Sequence, residues 1–290
     1  MLNCQHAFEL LEKFAGHDNA AGIDYPKAGD FLDCLLTTPV ARGGKKLSEP
    51  SVEKYLSYIR YAYEVACMPR FRKLETNPFE KVHFTATEQQ SRQDGFSMAE
   101  TALMIAEARK SDKPHVRIPV LIAAYSGAVR GEIVDSSSRD FEETEHGLVF
   151  HIRETNRAVG LKTDYRPRRF PLHSAIVEDV RQYLSTIPKG PLFPQLTPDS
   201  EGSVSHRAGR DLIEFIKGCG IDRKGEKFHC YRHTFKTALR RVLPRDEETR
   251  NYITGHATKG VAADYGRVPL ATLREVMDMV DSDAMKWELV

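Results

Sequence analysis

A polar stretch, TATEQQSRQDG at residues 85–95, divides this chain into two segments that are each rich in apolar side chains. The stretch itself is nearly free of large apolar groups, which is typical of a linker between domains. At 290 residues the chain has room for two domains that each bury a core. We therefore predict a helical domain over residues 1–86, a linker over 87–95 and a larger domain over 96–290.

Helical spacing dominates the first segment. In SEPSVEKYLSYIRYAYEVAC, residues 48–67, apolar side chains recur every three or four positions behind Ser48 and Pro50, which favour a helix start. The opening residues MLNCQHAFELLEKF are also amphipathic, and they lack the basic start and cleavage site of a signal peptide. We expect this segment to fold as helices.

The second segment mixes helices with a small sheet. Ser97 and Glu100 form a capping-box pattern before one helix, and a second helix covers VRIPVLIAAYS and ends near Gly127. GLVFHI and RRFPLH are strand-like. Further helices are expected at residues 174–186, 203–218, 229–243, 246–255 and 269–280. The predicted fold class is mainly α with a small antiparallel β-sheet, an α+β arrangement.

Charge is unevenly distributed in a chain whose net charge is only +1. Residues 153–169 hold six basic and two acidic side chains, and residues 223–241 hold seven basic and one acidic. These segments either line a phosphate-binding surface or are solvated faces. Apolar runs are too short to span a membrane, and the five scattered cysteines favour a reducing cytoplasm over a disulfide framework.

Four blocks of the second segment contain residues suited to phosphate chemistry: GAVRGEI, GLKTDYRPRRFPL, KFHCYRHTF and ITGHATKGVAADYGR. His229 and Arg232 share one face of a predicted helix, and His256 precedes Tyr265 by nine residues. Taken singly, each of these features is ordinary for a surface. Zinc is not expected, because Cys230 lies near two histidines but no second ligand pair has finger-like spacing.

In order and spacing, the four blocks resemble the catalytic domain of the tyrosine recombinases, the phage-integrase family. The resemblance covers roughly residues 91–280 and extends loosely over 48–84, which look like the closing helices of the family's core-binding domain. FHCYRHTFKTALRR is close to the family pattern HxLRHTFAT, and GHATKGVAADYG is close to GHSSxxxTxxYx. The resemblance implies a fold of that family and an enzyme that breaks and rejoins DNA through a 3′-phosphotyrosine, without metal, ATP or another cofactor.

The resemblance also implies a role for each matched residue. Tyr265 would be the nucleophile, Arg232 and His256 would bind the non-bridging oxygens, and His229 would exchange the tyrosine proton. Lys162 would protonate the leaving 5′ oxygen, and Glu132 would support the site. DNA phosphates would be bound by Arg168, Arg169 and Lys236.

One block departs from the family pattern. The family places an arginine three residues before the acid, as in GARxGEI, but in this chain that position is Val129 and Arg130 is one residue late. On a helix, one residue corresponds to about 100° of rotation. Either Arg130 reaches the phosphate from a turn, or the chain is a catalytically impaired DNA-binding relative, or Val129 is an introduced substitution.

The favoured function is a site-specific recombinase or integrase of a phage, bacterial or mobile-element type, and a type IB topoisomerase is the weaker alternative. The resemblance implies double-stranded DNA as partner, a monomer in solution, a homotetramer on DNA and a location with the nucleoid. The first domain is short for a complete core-binding domain, so the chain is either compact or part of a longer integrase. The C-terminal segment LATLREVMDMVDSDAMKWELV would pack on its own domain or on a neighbouring subunit. The DNA sequence recognised is not readable from one chain.

Overall fold

The computed structural model describes residues 2–40, 44–84, 95–153, 167–200, 202–221, 227–256 and 268–282. The chain forms two compact units, Met1–Ser91 and Arg92–Val290, and the division falls inside the polar stretch at 85–95. The described residues are mainly helical and include one three-stranded antiparallel sheet. The expected fold class is confirmed.

The described residues of the first unit form three α-helices around one core. Its helices are α1 (Leu2–Ala15), α2 (Tyr25–Thr37) and α3 (Glu49–Cys67). Helix α3 buries the apolar face that its spacing predicts, and Asp24 caps α2 by accepting a hydrogen bond from the amide of Lys27. The largest fully buried side chains of this core are Phe31, Leu35, Leu56, Ile59 and Phe79.

The second unit contains the remaining described helices and the sheet. The helices are α4 (Met98–Lys110), α5 (Pro114–Ser126), α6 (Arg130–Val134), α7 (Ser174–Ser185), α8 (Ser205–Gly218), α9 (Cys230–Val242), α10 (Glu247–Thr254) and α11 (Leu270–Ser282). The strands are β1 (Phe141–Thr144), β2 (Gly147–Ile152) and β3 (Arg168–Pro171), in the order β1-β2-β3. The capping box of Ser97 and Glu100 forms as expected at the start of α4.

Helix α5 lies at the centre of the second unit. It contacts helices α4, α6, α7, α8, α9 and α11, and nearly all of its side chains are buried. An apolar surface on every side is what a fully surrounded helix requires, which explains the run VRIPVLIAAYS. No described helix is long and apolar enough to cross a membrane.

The sheet has one strand more than the sequence indicates. β1 has the sequence FEET, whose two glutamates are exposed, so it carries no alternating apolar pattern. β2 then pairs with β3 so that Ile152 lies opposite Arg168. The segment between these two residues, which holds Lys162, lies outside the described residues.

Helix α11 packs on its own unit. Its side chains Leu273, Val276, Met277 and Val280 are buried in the core of the second unit. Arg274 donates to the carbonyl of Leu172 at 2.6 Å and also pairs with Asp278. Within a single chain α11 thus packs on its own unit, and residues 283–290 lie outside the described residues.

Candidate active site

Arg232 lies in the first turn of α9, where its side chain reaches the end of α5. Apolar residues of α9, including Tyr231 and Phe235, are buried and fix the helix against the core. Arg232 is 5% exposed and donates from Nη1 to the carbonyl of Gly127 at 3.1 Å. His229 is the N-cap residue of α9 and is exposed, and its ring lies 5.1 Å from that of His233.

Gly127 makes this approach possible. It ends α5 in the left-handed conformation with φ of 63°, which glycine adopts without a steric penalty. A Cβ atom at this position would lie 2.9 Å from the ring of Phe235 on α9. The glycine of GAVRGEI thus lets α9 pass close to the end of α5, and its carbonyl orients Arg232.

Glu132 provides the negative charge of the cluster. Glu132 lies in the short helix α6. Its Oε2 accepts a hydrogen bond at 2.9 Å from the amide of Val129, the residue directly before this helix. Oε2 also lies 3.8 Å from Nη1 of Arg232. The side chain is 1% exposed, so its charge needs compensation from within the protein.

The main compensation comes from Arg168 at the start of β3. Its Nη1 and Nη2 donate to the two oxygens of Glu132 at 3.1 and 2.8 Å, which is a bidentate pair. Burial alone would raise the pKa of Glu132. The charge and hydrogen bonds of Arg168, the charge of Arg232 and the amide of Val129 outweigh burial and hold this pKa at about 2. Glu132 is therefore ionised at neutral pH.

The expectation that Arg168 binds DNA phosphate needs correction. Its side chain is 1% exposed, and its Nε donates to the carbonyl of Ile253 at 2.8 Å while both Nη atoms face Glu132. A guanidinium held in this way does not face solvent. The alternation of the strand indicates that Arg168 is buried, because Arg168 and the buried Phe170 are two residues apart on β3 and so share a face.

His256 joins the cluster through the end of α10. Gly255 ends this helix with φ of 62°, and the amide of His256 then donates to the carbonyl of Asn251 at 2.9 Å. His256 Nδ1 lies 2.9 Å from Oγ1 of Thr254 and 3.5 Å from Nη2 of Arg232. Because the Thr254 hydroxyl donates to the carbonyl of Arg250 at 2.7 Å, its oxygen accepts from His256 Nδ1–H, and this orients the exposed ring.

Arg130 lies elsewhere. Its Nε donates to Oγ of Ser205 at 2.9 Å, and its guanidinium rests against Gly209 on α8. Burial lowers the pKa of Arg130, while the charge of Asp135 acts in the opposite direction. The structure thus brings Glu132, Arg232 and His256 together but directs Arg130 towards α8. Val129 lies in extended conformation before α6 and offers its amide, not a cation, to the cluster.

The two other residues expected on DNA phosphates are half-buried. Lys236 follows Arg232 by one turn of α9. Burial lowers its pKa, and the charges of Arg240 and Arg232 lower it further, as expected in a positively charged region. Arg169 follows Arg168 on β3, and its amide lies 3.4 Å from the hydroxyl of Tyr252.

Lys162 and Tyr265 lie outside the described residues, so their predicted roles stay predictions. The described parts of the chain contain no group of three or more His, Cys, Asp or Glu side chains able to hold a metal ion.

Several solved structures that share this fold are integrases. A fragment of the Tn1549 transposon integrase in complex with transposon right end DNA shares 15% identity at a TM-score of 0.66, covering 95% of this chain and 92% of that one. The integrase of mycobacterium phage Brujita shares 16% at 0.51, covering 96% and 85%. A lambda integrase dimer bound to a COC′ core site shares 14% at 0.59, covering 93% and 91%.

These likenesses establish the fold. The chain has the fold of the tyrosine recombinases, represented here by phage and transposon integrases, as its sequence blocks predict. No protein-family model matches the sequence, and no curated protein matches it.

Proposed function

We propose that this chain is a site-specific DNA recombinase that cleaves and rejoins DNA strands through a 3′-phosphotyrosine at Tyr265. The observation that carries the proposal is the cluster of Arg232, Glu132 and His256 on a fold shared with integrases, in which Arg232 lies 3.8 Å from Glu132 and 3.5 Å from His256. The Tn1549 integrase was solved in complex with transposon right end DNA, and the lambda integrase dimer was solved bound to a COC′ core site. The agreement between blocks of the sequence and the geometry of the cluster supports the transfer of that activity to this chain.

The proposed reaction transfers the DNA phosphoryl group from the 5′ oxygen to the Tyr265 oxygen, so that one phosphoester bond replaces another. The Tyr265 oxygen attacks phosphorus, the bond from phosphorus to the 5′ oxygen breaks, and the 5′-hydroxyl leaves with a proton from Lys162. His229 takes the tyrosine proton. Phosphodiester energy is conserved in the protein–DNA bond, so neither ATP nor a cofactor is consumed.

Arg232 and His256 would stabilise the extra negative charge of the transition state. Nη1 of Arg232 is held by the carbonyl of Gly127, so the guanidinium is oriented before DNA binds. Donors that are fixed in advance and partly shielded from water stabilise developing charge more than mobile ones do. Arg169 and Lys236 would add contacts to the DNA backbone, and the first unit would clamp the duplex.

We also propose a monomer in solution that forms a homotetramer on two duplexes and acts with the nucleoid in the cytoplasm. The support is that a lambda integrase tetramer bound to a Holliday junction shares this fold, at a TM-score of 0.62 over 92% of this chain. Light scattering of the protein alone and with its duplex measures both states.

The decisive experiment detects the covalent intermediate. Duplexes bound by the full-length protein are selected from a random library and then nicked near the cleavage position, so that the 5′-hydroxyl fragment diffuses away and the adduct accumulates. We expect a band that survives denaturation in the wild type and is absent from Tyr265→Phe, which should bind the same duplex equally well. Tight binding of selected duplexes without any adduct from the wild type would contradict the proposal.

A second function, DNA binding with impaired cleavage, is favoured by one observation. Val129 occupies the family's arginine position, and Arg130 is engaged by Ser205 and Gly209 on α8. Such a protein would act as an architectural or regulatory factor on DNA. A topoisomerase of type IB is distinguished from both by relaxation of supercoiled plasmid without sequence preference.

Restoring an arginine at position 129 separates cleavage from impaired cleavage. If the wild-type site is impaired, Val129→Arg should raise the rate constant of adduct formation by about tenfold or more, because one charge-stabilising donor is gained. Val129→Met is the matched control, since it adds bulk without charge and should give no gain. An unchanged rate in Val129→Arg would argue that the wild-type site already works without this arginine.

A further inference from the structure

We propose that Arg168 is a positioning residue that occupies Glu132 and thereby keeps Arg232 available to the phosphate. The inference rests on the proposed function, because it takes Arg232 as the phosphate-binding arginine. Arg168 itself would touch neither the DNA phosphate nor the tyrosine.

The first support is the competition between two arginines for one carboxylate. Arg168 takes both oxygens of Glu132 at 2.8 and 3.1 Å, whereas Arg232 remains 3.8 Å from the nearer oxygen. All three side chains are nearly excluded from solvent. Without Arg168, the buried carboxylate would face Arg232 as its nearest described guanidinium, and opposite charges in a poorly solvated site attract strongly.

The second support is the group that orients Arg232. Its Nη1 donates to the neutral carbonyl of Gly127 at 3.1 Å, which is nearer than the Glu132 carboxylate at 3.8 Å. A carbonyl orients a guanidinium without cancelling its charge.

The third support is the way the protein holds Arg168. Its Nε donates to Ile253 on α10, and a Cβ atom on Gly255 would lie 2.6 Å from its Nη1. Gly255 therefore leaves the space that the guanidinium fills, directly before His256. The Arg168 side chain thus links β3, α6 and the turn before His256, so its loss would change the surroundings of both Arg232 and His256.

The test compares Arg168→Met with the double variant Arg168→Met, Glu132→Gln. The glutamine keeps an oxygen for the amide of Val129 but removes the charge that would attract Arg232. We expect Arg168→Met to slow adduct formation by about 100-fold, the loss typical of a displaced catalytic group. The double variant should recover at least tenfold of this loss, with duplex affinity similar in all three proteins.

Arg274→Met is the matched control. Arg274 also pairs with a carboxylate, that of Asp278, and with a main-chain carbonyl, that of Leu172, but it lies on α11. Its loss should lower thermal stability while leaving the rate within about threefold of the wild type. A similar loss of rate in both single variants, or a double variant no faster than Arg168→Met, would overturn the inference and leave Arg168 as a brace of the fold.

A readout that needs no catalysis separates this inference from the proposed function. The ring Cε1–H resonance of His256, assigned by its disappearance in His256→Gln, should move in Arg168→Met and return towards the wild-type position in the double variant. It should not move in Arg274→Met. A wild-type protein that forms no adduct would contradict the proposed function alone. A His256 resonance that does not move in Arg168→Met would contradict the inference about Arg168.

Arg168→Met leaves a buried carboxylate without its main partner, while the double variant removes that charge and should fold more readily. If the single variant does not fold, Arg168→Lys replaces it. Lysine keeps the positive charge but cannot donate to both carboxylate oxygens in the arginine geometry, so we expect a smaller loss of rate and a shifted His256 resonance. A folded Arg168→Lys with the wild-type rate and an unmoved His256 resonance would overturn the inference.

Discussion

Replacing Arg232 by Met is expected to lower the rate constant of DNA cleavage by about 10²- to 10³-fold. Arg232 is 5% exposed and its Nη1 is held by the carbonyl of Gly127, so its donors would be in place before DNA arrives. Lysine in its place would keep the charge but lose the planar fork, and should be almost as slow. The measurement is single-turnover adduct formation on the nicked duplex, with protein in excess so that binding does not limit the rate.

The control for this prediction lies on the same helix. Arg240, in the last turn of α9, is exposed, and Arg240→Met should change the rate less than about threefold. A folded Arg232→Met protein that cleaves at the wild-type rate would show that the phosphate is stabilised by other groups.

Glu132→Gln is expected to lower the free energy of unfolding of the second unit by about 3–5 kcal/mol at neutral pH. The substitution keeps the shape of the side chain but removes the charge that compensates Arg168 and, more weakly, Arg232. Hydrogen exchange of the amides of α5, which lies at the centre of this unit, measures the loss without interference from the first unit.

The same carboxylate predicts how stability depends on acid. Its pKa is held at about 2 in the folded state, below the ordinary value of 4.5, so ionised Glu132 favours the folded state above pH 4.5. This contribution, about 3 kcal/mol, should be lost as the pH falls from 4.5 through about 2. Wild type and Glu132→Gln should therefore become more similar in stability at low pH.

Glu178→Gln is the control for both measurements. Its carboxylate is 81% exposed and pairs with Arg181 on the surface of α7, so its removal should cost less than about 1 kcal/mol. Equal effects of the two substitutions, or a difference between wild type and Glu132→Gln that does not shrink in acid, would show that Glu132 is not the buried counter-charge described here.

Much of the fold is readable from the sequence because its signals are local. The capping box at Ser97 forms as its residue types indicate, and Asp246, a residue type that favours this position, caps α10 by accepting from the amide of Thr249. The buried face of α3 follows its apolar spacing, and the length of α5 follows an apolar run bounded by Pro114 and Gly127. These elements depend on neighbours within a few residues.

The details of the site are less readable because they depend on partners far along the chain. Arg168 and Arg169 are adjacent and equally basic, yet one is buried against Glu132 and the other is half-buried on the opposite face of β3. Arg130 is drawn to α8 by Ser205 and by the open space at Gly209. Local spacing indicates neither the Glu132 partner of Arg168 nor the Ser205 partner of Arg130. The basic composition around Arg168 therefore predicts a DNA contact where the structure has a buried ion pair.

The contacts that assemble the cluster join distant parts of the chain. Arg232 is 105 residues from Gly127, and Arg168 is 85 residues from Ile253. A nascent chain that has emerged from the ribosome only through α9 therefore contains Arg168 but not the carbonyl that receives its Nε, and it has no His256. Under the proposed function, the phosphate-binding cluster would therefore be completed only after α10 and the turn at Gly255 have been synthesised and have packed on β3.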